Sequence, residues 1–310
     1  MTGKVSAQGA ALMISQHSIT SLSQPFHPPQ FFSFSRPKFL QNPSLFRSSS
    51  PVTSANGLQF RRKLLYLESL NINSLKALSK NPQFRSSSLQ SLKSIENCLS
   101  SFGIPRSSLG RIFDMFPQLL TSDPHLHLYP VFDFLINEVE IPFPDVGKSI
   151  IRCPRLLVSS VDFQLRPTLL FLRRLGFVGR HKIDCHTCVL LVSNVENTLV
   201  PKLDFLKSLG FSDFEVAKMV IRSPGLLTYS IENNLKPKVE YFVKEMKRDL
   251  KEIKQFPQYF SFSLEGKIKP RHRQLMENGF SMSVRDMLKV SDGEFGVRML
   301  EMRFQLIDQL

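Results

Sequence analysis

The chain has 310 residues, and its 40 Lys and Arg outnumber its 26 Asp and Glu to give a net charge of +14. Hydrophobic residues make up 42% of the sequence, which suffices for a buried core, yet no apolar run approaches the roughly 18 residues of a transmembrane helix. The composition therefore excludes a membrane-spanning class, and the basic excess favours a polyanionic partner.

The N-terminal segment, residues 1–67, contains seven basic side chains and no acidic one, and Ser occurs twelve times in the first sixty residues. Such an acid-poor, hydroxyl-rich start is typical of an organelle transit peptide, so we predict a disordered leader over residues 1–60, cleaved between Ser48 and Leu58. Arg is absent before Arg36, which favours a chloroplast destination over the Arg-rich mitochondrial type; the mitochondrion is the alternative. A disordered tail on a nuclear or cytosolic protein would share this composition.

Beyond the leader, pairs of prolines thirteen residues apart mark a repeat. The pairs are Pro117/Pro130, Pro154/Pro167, Pro224/Pro237 and Pro257/Pro270, and Cys188/Pro201 stands in register with one member changed. Successive first members are 37, 34, 36 and 33 residues apart, and a weaker unit begins at Pro82. A period of this size indicates a stack of small helical units.

Each unit predicts two helices joined by a turn. The first proline ends a helix, because it disfavours helical geometry in the preceding residue, and a Leu-Leu turn follows in most units. The second proline is predicted to open the next helix, where its fixed φ fits and its missing N–H costs nothing. That helix ends at glycines such as Gly176 and Gly210, after which Ser212 and Glu215 have the spacing of a capping box.

Apolar residues two and five positions after the second proline place one face of this helix in the core. Aromatic residues recur four positions after it, at Phe134, Phe171, Phe205 and Tyr241. We interpret these rings as core between neighbouring repeats, with nucleobase stacking as the alternative.

The in-phase proline pairs, together with an L-x-x-L-G-F ending at Gly176 and Gly210, resemble the mitochondrial transcription termination factor (mTERF) family. The resemblance covers about residues 75–300. It implies an all-α fold, a right-handed superhelical solenoid shaped as a half-ring, whose basic groove binds nucleic acid inside an organelle. We place this repeat domain at residues 65–310, with about six repeats and a C-terminal cap. The chain departs from the family pattern at Cys188 and in the highly charged segment between Pro237 and Pro257.

Basic residues concentrate in the middle of the chain, where residues 145–280 hold 23 Lys and Arg against 14 Asp and Glu. Many recur at equivalent repeat positions, so stacking should align them in rows that bind the phosphates of nucleic acid. The predicted contacts are Arg152, Arg166, Arg173, Arg174, Lys202, Lys207, Arg222, Lys236, Lys238, Lys244, Lys269 and Arg271. Arg111, in an acidic N-terminal unit, is expected to contribute little.

Other site chemistry finds little support in the sequence. Cys185 and Cys188 have the spacing of half a zinc site, with His181 nearby, but no second pair completes it, so we predict structural cysteines and no metal. No phosphate-binding glycine loop or hydrolase signature is present, so we predict neither an enzyme nor a cofactor.

The sequence thus predicts an organellar nucleic-acid-binding factor that regulates plastid gene expression through termination or regulation of transcription. One alternative is a plastid RNA-splicing or rRNA-processing factor on the same scaffold, because no base-reading motif separates DNA from RNA. Another is a protein-binding helical-repeat scaffold, which would favour apolar or mixed-charge rows. The expected partner is double-stranded DNA or RNA of the organelle, with transcription or ribonucleoprotein complexes as further partners and the protein itself a monomer.

Overall fold

The computed structural model describes the backbone of residues 55–307 and the side chains of residues 57–305. The first 54 residues of the predicted leader lie outside this part of the chain. Every regular element between residues 55 and 307 is helical, which confirms the all-α class. The first helix begins at Ala55, ten residues before the predicted start of the repeat domain at residue 65.

The α-helices of this part follow one another along the chain and are separated by shorter 3₁₀ and π-helical turns. Their bounds are α1 (Ala55–Ser69), α2 (Ser74–Lys80), α3 (Leu89–Ser101), α4 (Arg106–Met115), α5 (Tyr129–Asp133), α6 (Phe143–Arg152), α7 (Arg166–Arg174), α8 (Val200–Ser208), α9 (Asp213–Arg222), α10 (Lys236–Glu240), α11 (Leu250–Gln255), α12 (Lys269–Glu277), α13 (Val284–Lys289) and α14 (Asp292–Ile307).

A regular repeat has four parts in a fixed order. The first helix, here called the A helix, ends two residues before the first proline, as α6 does before Pro154. A 3₁₀ turn starts at that proline, and a π-helical turn such as Val161–Leu165 then leads into the second helix, the B helix. The A helices are α2, α4, α6, α9, α11 and α13, and the B helices are α3, α5, α7, α8, α10 and α12.

The second proline lies at the start of an α-helix, as the sequence predicts, but a π-helical turn that the sequence did not predict precedes it in the same helical segment. In the Pro154 unit the segment begins six residues earlier, and Ser160 caps it by accepting the N–H of Phe163 at 3.2 Å. In the π-helical turn the Arg166 N–H donates to the carbonyl five residues back. Because this turn is wider than an α-helical one, the Pro167 ring avoids the carbonyl that it would strike in a regular α-helix. The same arrangement holds Pro130, Pro201, Pro237 and Pro270.

Two residues after the helical segment of most B helices ends, the backbone is left-handed. Gly176 and Gly210 have φ values of 104° and 92°, as the predicted C-terminal glycines require. Glu140 and Lys247 fill the equivalent position in two other units, with φ values of 62° and 52°. A side chain with a Cβ is strained in this region, so these two positions are local weak points of the array.

The core runs continuously along the array between neighbouring repeats. The Leu-Leu pairs lie in it, with Leu191 and Leu227 fully buried. Phe134 is buried, and Phe171, Phe205 and Tyr241 pack against the core as half-buried rings, which confirms the interpretation of these aromatics. The capping box predicted from Ser212 and Glu215 is present at the start of α9.

The Cys188 unit differs from its neighbours because its A helix is replaced by an irregular loop. A short 3₁₀ turn spans Gly179–His181, and the Asp184 carboxylate then accepts the N–H groups of His186 and Thr187 at 2.9 and 2.8 Å. Cys188 begins the next 3₁₀ turn in the place of the proline and is fully buried. The departure from the repeat pattern in the sequence therefore coincides with a local departure in structure.

Candidate nucleic-acid interface

Lys202 and Lys238 follow the second proline in α8 and α10, and both were predicted to contact phosphates. The structure buries them instead, with only 9% and 5% of their surfaces exposed. The ammonium group of Lys202 donates to the Leu227 carbonyl at 2.6 Å, and that of Lys238 donates to the Phe260 carbonyl at 2.7 Å. Because each ammonium is used inside the protein, the prediction that these two lysines bind nucleic acid was wrong.

Arg271 occupies the same position in α12 and is also buried. Its guanidinium donates to the carbonyls of Met287 and Val290 at 2.6 and 3.1 Å and forms an ion pair with Asp292. Its predicted contact with nucleic acid is corrected for the same reason. Lys202, Lys238 and Arg271 are named here the interior cation row.

For the two lysines of this row the physical reason lies in the 3₁₀ turns, whereas Arg271 serves the carbonyls at the end of α13. Each turn leaves carbonyl groups at its C-terminal end without a helical partner, and these carry a partial negative charge. A cation on the preceding B helix satisfies them across the boundary between two repeats. Lys63 does the same for the first turn, with its ammonium group 3.0 Å from the Phe84 carbonyl and 2.6 Å from the Arg85 carbonyl. Burial lowers the pKa of Lys63, Lys202 and Lys238, because desolvation disfavours the charged amine.

The residue just before the second proline forms another row, whose members are half-buried or exposed and are all paired with carboxylates. Arg166 forms a two-pronged contact with the Glu138 carboxylate at 2.6 and 2.8 Å and a further ion pair with Asp162. These hydrogen bonds raise the pKa of Arg166 above its usual value. Lys236 and Lys269 pair with carboxylates one helical turn earlier, Glu232 and Glu265. A carboxylate beside each cation reduces the attraction of this row for phosphate.

Six predicted residues remain on the surface at the ends of A or B helices. They are Arg152, Arg173, Arg174, Lys207, Arg222 and Lys244. Lys207 lies 2.7 Å from the Asp213 carboxylate, whereas Arg173 and Arg222 each donate to a backbone carbonyl and form no ion pair within the described residues. Arg152, Arg174 and Lys244 make no hydrogen bond or ion pair with another described residue. The exposed and uncompensated charge is therefore found at helix ends.

A further basic row lies on the A helices and was missed from the sequence. Its members stand six residues before the first proline or the residue in its place, and all are exposed. They are Arg111, Lys148, Lys182, Lys218, Lys251 and Arg285, and Lys76 holds the same place before Pro82. The sequence signal for this row is its fixed distance from the first proline. We call these residues the A-helix row.

Four residues further on, the A helices carry a second set of exposed polar or basic side chains. These are Arg152, His186, Arg222 and Lys289, together with Lys80 in α2. Residues four apart lie on one face of an α-helix, so in α6 Lys148 and Arg152 project from the same side. Arg111, Lys148, Arg152 and His186 line one open cleft, along with Asp184 and Cys185. Side chains from three consecutive units thus meet on a single surface.

Cys185 lines this cleft, and the other three cysteines, Cys98, Cys153 and Cys188, are buried. Burial raises the pKa of Cys188 to about 12, which keeps the thiol protonated. Its sulfur lies 3.4 Å from the Cys185 carbonyl oxygen. Among the residues that the structure describes, no three His, Cys, Asp or Glu side chains gather as metal ligands.

The fold and this surface define a class of protein, a helical-repeat solenoid with basic rows on its exterior. Comparison with known proteins identifies the family within this class. The family model named mTERF matches residues 56–175 and 143–296, which together cover most of the chain. The chain belongs to the mTERF family.

Several curated plant proteins are similar to parts of the chain. Transcription termination factor MTERF4, chloroplastic, of Oryza sativa subsp. japonica is 40% identical over 85 residues, which cover 27% of this chain and 16% of that protein. Transcription termination factor MTERF2, chloroplastic, of Arabidopsis thaliana is 30% identical over 162 residues, 52% of this chain and 20% of that protein. Transcription termination factor MTERF8, chloroplastic, of Arabidopsis thaliana is 26% identical over 220 residues, 70% of this chain and 43% of that protein.

The matched stretches thus span between 16% and 43% of the lengths of these relatives. Within the described helices, none is long and apolar enough to cross a membrane.

Proposed function

We propose that this protein binds nucleic acid in the chloroplast and acts in the termination or regulation of transcription there. The observation that carries the proposal is the exposed basic charge at the helix ends, represented by Arg173, Arg174 and Lys244. None of these side chains forms an ion pair within the described residues, so a phosphate group can approach them without displacing one. Phosphate contacts of this kind supply affinity but no sequence information.

The chloroplast assignment is supported by two independent features. The leader contains no acidic residue before Glu68 and is rich in Ser, a composition typical of transit peptides. The relatives described above are named as chloroplastic transcription termination factors. A reporter fused to the leader should therefore enter chloroplasts; import into mitochondria alone would contradict this part of the proposal.

Crosslinking in isolated chloroplasts tests the role in transcription. Nucleic acid bound to the protein is sequenced with and without RNase treatment before recovery. We expect RNase-resistant DNA fragments that cluster at transcript ends. Recovery of RNA alone, concentrated at introns or in rRNA precursors, would replace the proposal with an RNA-processing role.

A further inference from the structure

The A-helix row brings cations of neighbouring repeats onto one surface at Arg111 and Lys148. Arg111, Lys148 and Arg152 lie in consecutive A helices and line the same open cleft, with His186 contributed by the next unit. The repeat provides this placement, because each A helix ends two residues before its first proline and the cation always lies one turn before that end. Even the Cys188 unit, which lacks the helix, keeps a basic residue at the position, Lys182.

The charges of this row are also available. Arg111 and Arg285 form no hydrogen bond or ion pair with another described residue, and both are exposed. Lys148 lies 2.7 Å from Asp145, but its side chain is 68% exposed, and an ion pair so open to solvent contributes little and exchanges readily. Lys251 likewise forms an exposed ion pair, with Asp249 at 3.5 Å, and Lys182 is held most firmly, by both the backbone and the carboxylate of Glu140.

The contrast with the B helices decides which surface is better suited to phosphate. Beside the second proline, the B-helix cations are either buried against carbonyls, as Lys238 is, or paired with carboxylates, as Arg166 is. On the A helices, the equivalent charge points into an open cleft whose described acidic members are Asp145 and Asp184. The Asp184 carboxylate is already occupied by N–H groups of its own loop.

We propose that the A-helix row is a binding track for the phosphate backbone of nucleic acid and that Arg111 belongs to it. The inference rests on the proposed function and names the surface that performs it. It reverses the expectation that Arg111 contributes little. The acidic residues of its own unit do not line the cleft in which the Arg111 side chain lies. The ligand is identified by its repeating phosphates, which duplex DNA and RNA share.

The test compares two double variants of the full protein. Arg111→Ala/Lys148→Ala removes two cations of the row, and Arg62→Ala/Lys93→Ala removes two exposed cations from α1 and α3, outside the row. Binding to a labelled DNA duplex and to single-stranded RNA of the same sequence is measured between about 50 and 200 mM salt. The slope of log affinity against log salt should fall by about 1.8 for duplex DNA, or about 1.4 for RNA, in the first variant alone.

Two different results would overturn the binding track and the proposed function. If the wild-type protein binds but the Arg111→Ala/Lys148→Ala variant behaves like the control variant, the track is overturned and the proposed function stands. If the wild-type protein binds neither probe at the lowest salt, the proposed function itself is overturned. Thermal unfolding of each variant verifies that a loss of binding does not come from a loss of fold.

Discussion

Lys238 and Lys244 lie six residues apart on the same helical segment, yet their environments are opposite. Lys238, near the start of α10, is buried and holds a carbonyl of the next repeat, whereas Lys244, near the segment's end, is exposed and has no described partner. Arg271 and Arg273 form a similar pair in α12, one buried and one exposed. The comparison teaches that a basic residue recurring in a repeat has two possible causes. It can serve the joint between repeats or the surface that meets a partner.

The largest effect is expected at Arg271, whose guanidinium joins α12 to the C-terminal helices α13 and α14. Arg271→Ala leaves two carbonyls and the Asp292 carboxylate without their partner and removes a contact with the Phe295 ring, 4.7 Å away. Because the Asp292 carboxylate is 95% exposed and regains water, the cost comes from the two carbonyls and the lost packing, and we expect a loss of about 2–4 kcal/mol in the free energy of unfolding, measured by urea denaturation. Arg273→Ala, two residues along the same helix, is the control and should change stability by less than about 0.5 kcal/mol. Equal effects of the two substitutions would contradict the assignment.

Lys238→Met should have the next largest effect. The substitution keeps most of the apolar stem but leaves the Phe260 carbonyl unsatisfied in the interior, which we expect to cost about 1–3 kcal/mol. Lys244→Met makes the same chemical change on the surface and should be nearly neutral. A stable Lys238→Met protein would show that the interior cation row is dispensable for the joint between repeats.

The pH dependence of stability provides a separate test of burial. The pKa of Lys238 is lowered by desolvation from its usual value of 10.5, so the unfolded state binds more protons between the folded pKa and pH 10.5. The free energy of unfolding of the wild-type protein should therefore rise relative to that of Lys238→Met as pH increases toward 10.5. Denaturation curves recorded at several alkaline pH values measure this difference. A constant difference would mean that the amine titrates as it does in water.

A smaller and opposite effect is expected at Lys247. Its left-handed backbone, φ 52°, is strained for a lysine but not for glycine, and its side chain is exposed without a described partner. Lys247→Gly should stabilise the protein by about 0.5–1 kcal/mol in thermal unfolding. Gly210→Ala tests the reverse direction, because a Cβ there would meet no atom within 4 Å and only the backbone strain would be felt. That substitution should destabilise.

Much of the array could be predicted because its signals are local. The proline period, the Leu-Leu pairs and the Ser212 capping box depend on residues close together in sequence, and each was confirmed. The π-helical turn before each B helix was not predicted, because a proline is a strong signal for an α-helical start and draws the predicted boundary to itself. The caps at Ser160 and Asn194 were the available signal, since each stands seven residues before its second proline.

The candidate site was predicted less well because burial across a repeat boundary is not a local property. Nothing next to Lys202 in the sequence indicates that a carbonyl 25 residues away will take its ammonium group. Arg174 and Lys244, two of the predicted contacts, are exposed in the structure, and their contact with nucleic acid stays a prediction. The A-helix row could not be predicted without knowing where each A helix ends. In the structure each A helix that precedes a first proline ends two residues before it, which aligns the cations of the row.

The central claim is that exposed cations bind nucleic acid while the interior cation row supports the fold. It is tested most directly by the salt dependence of duplex DNA binding for wild type, Arg173→Ala/Arg174→Ala and Lys238→Met, each measured where it is fully folded. Each lost phosphate contact lowers the slope by about 0.9, so the exposed double variant should fall by up to about 1.8 and Lys238→Met should match wild type. An unchanged slope for the exposed variant, or a reduced slope for Lys238→Met, would contradict the account.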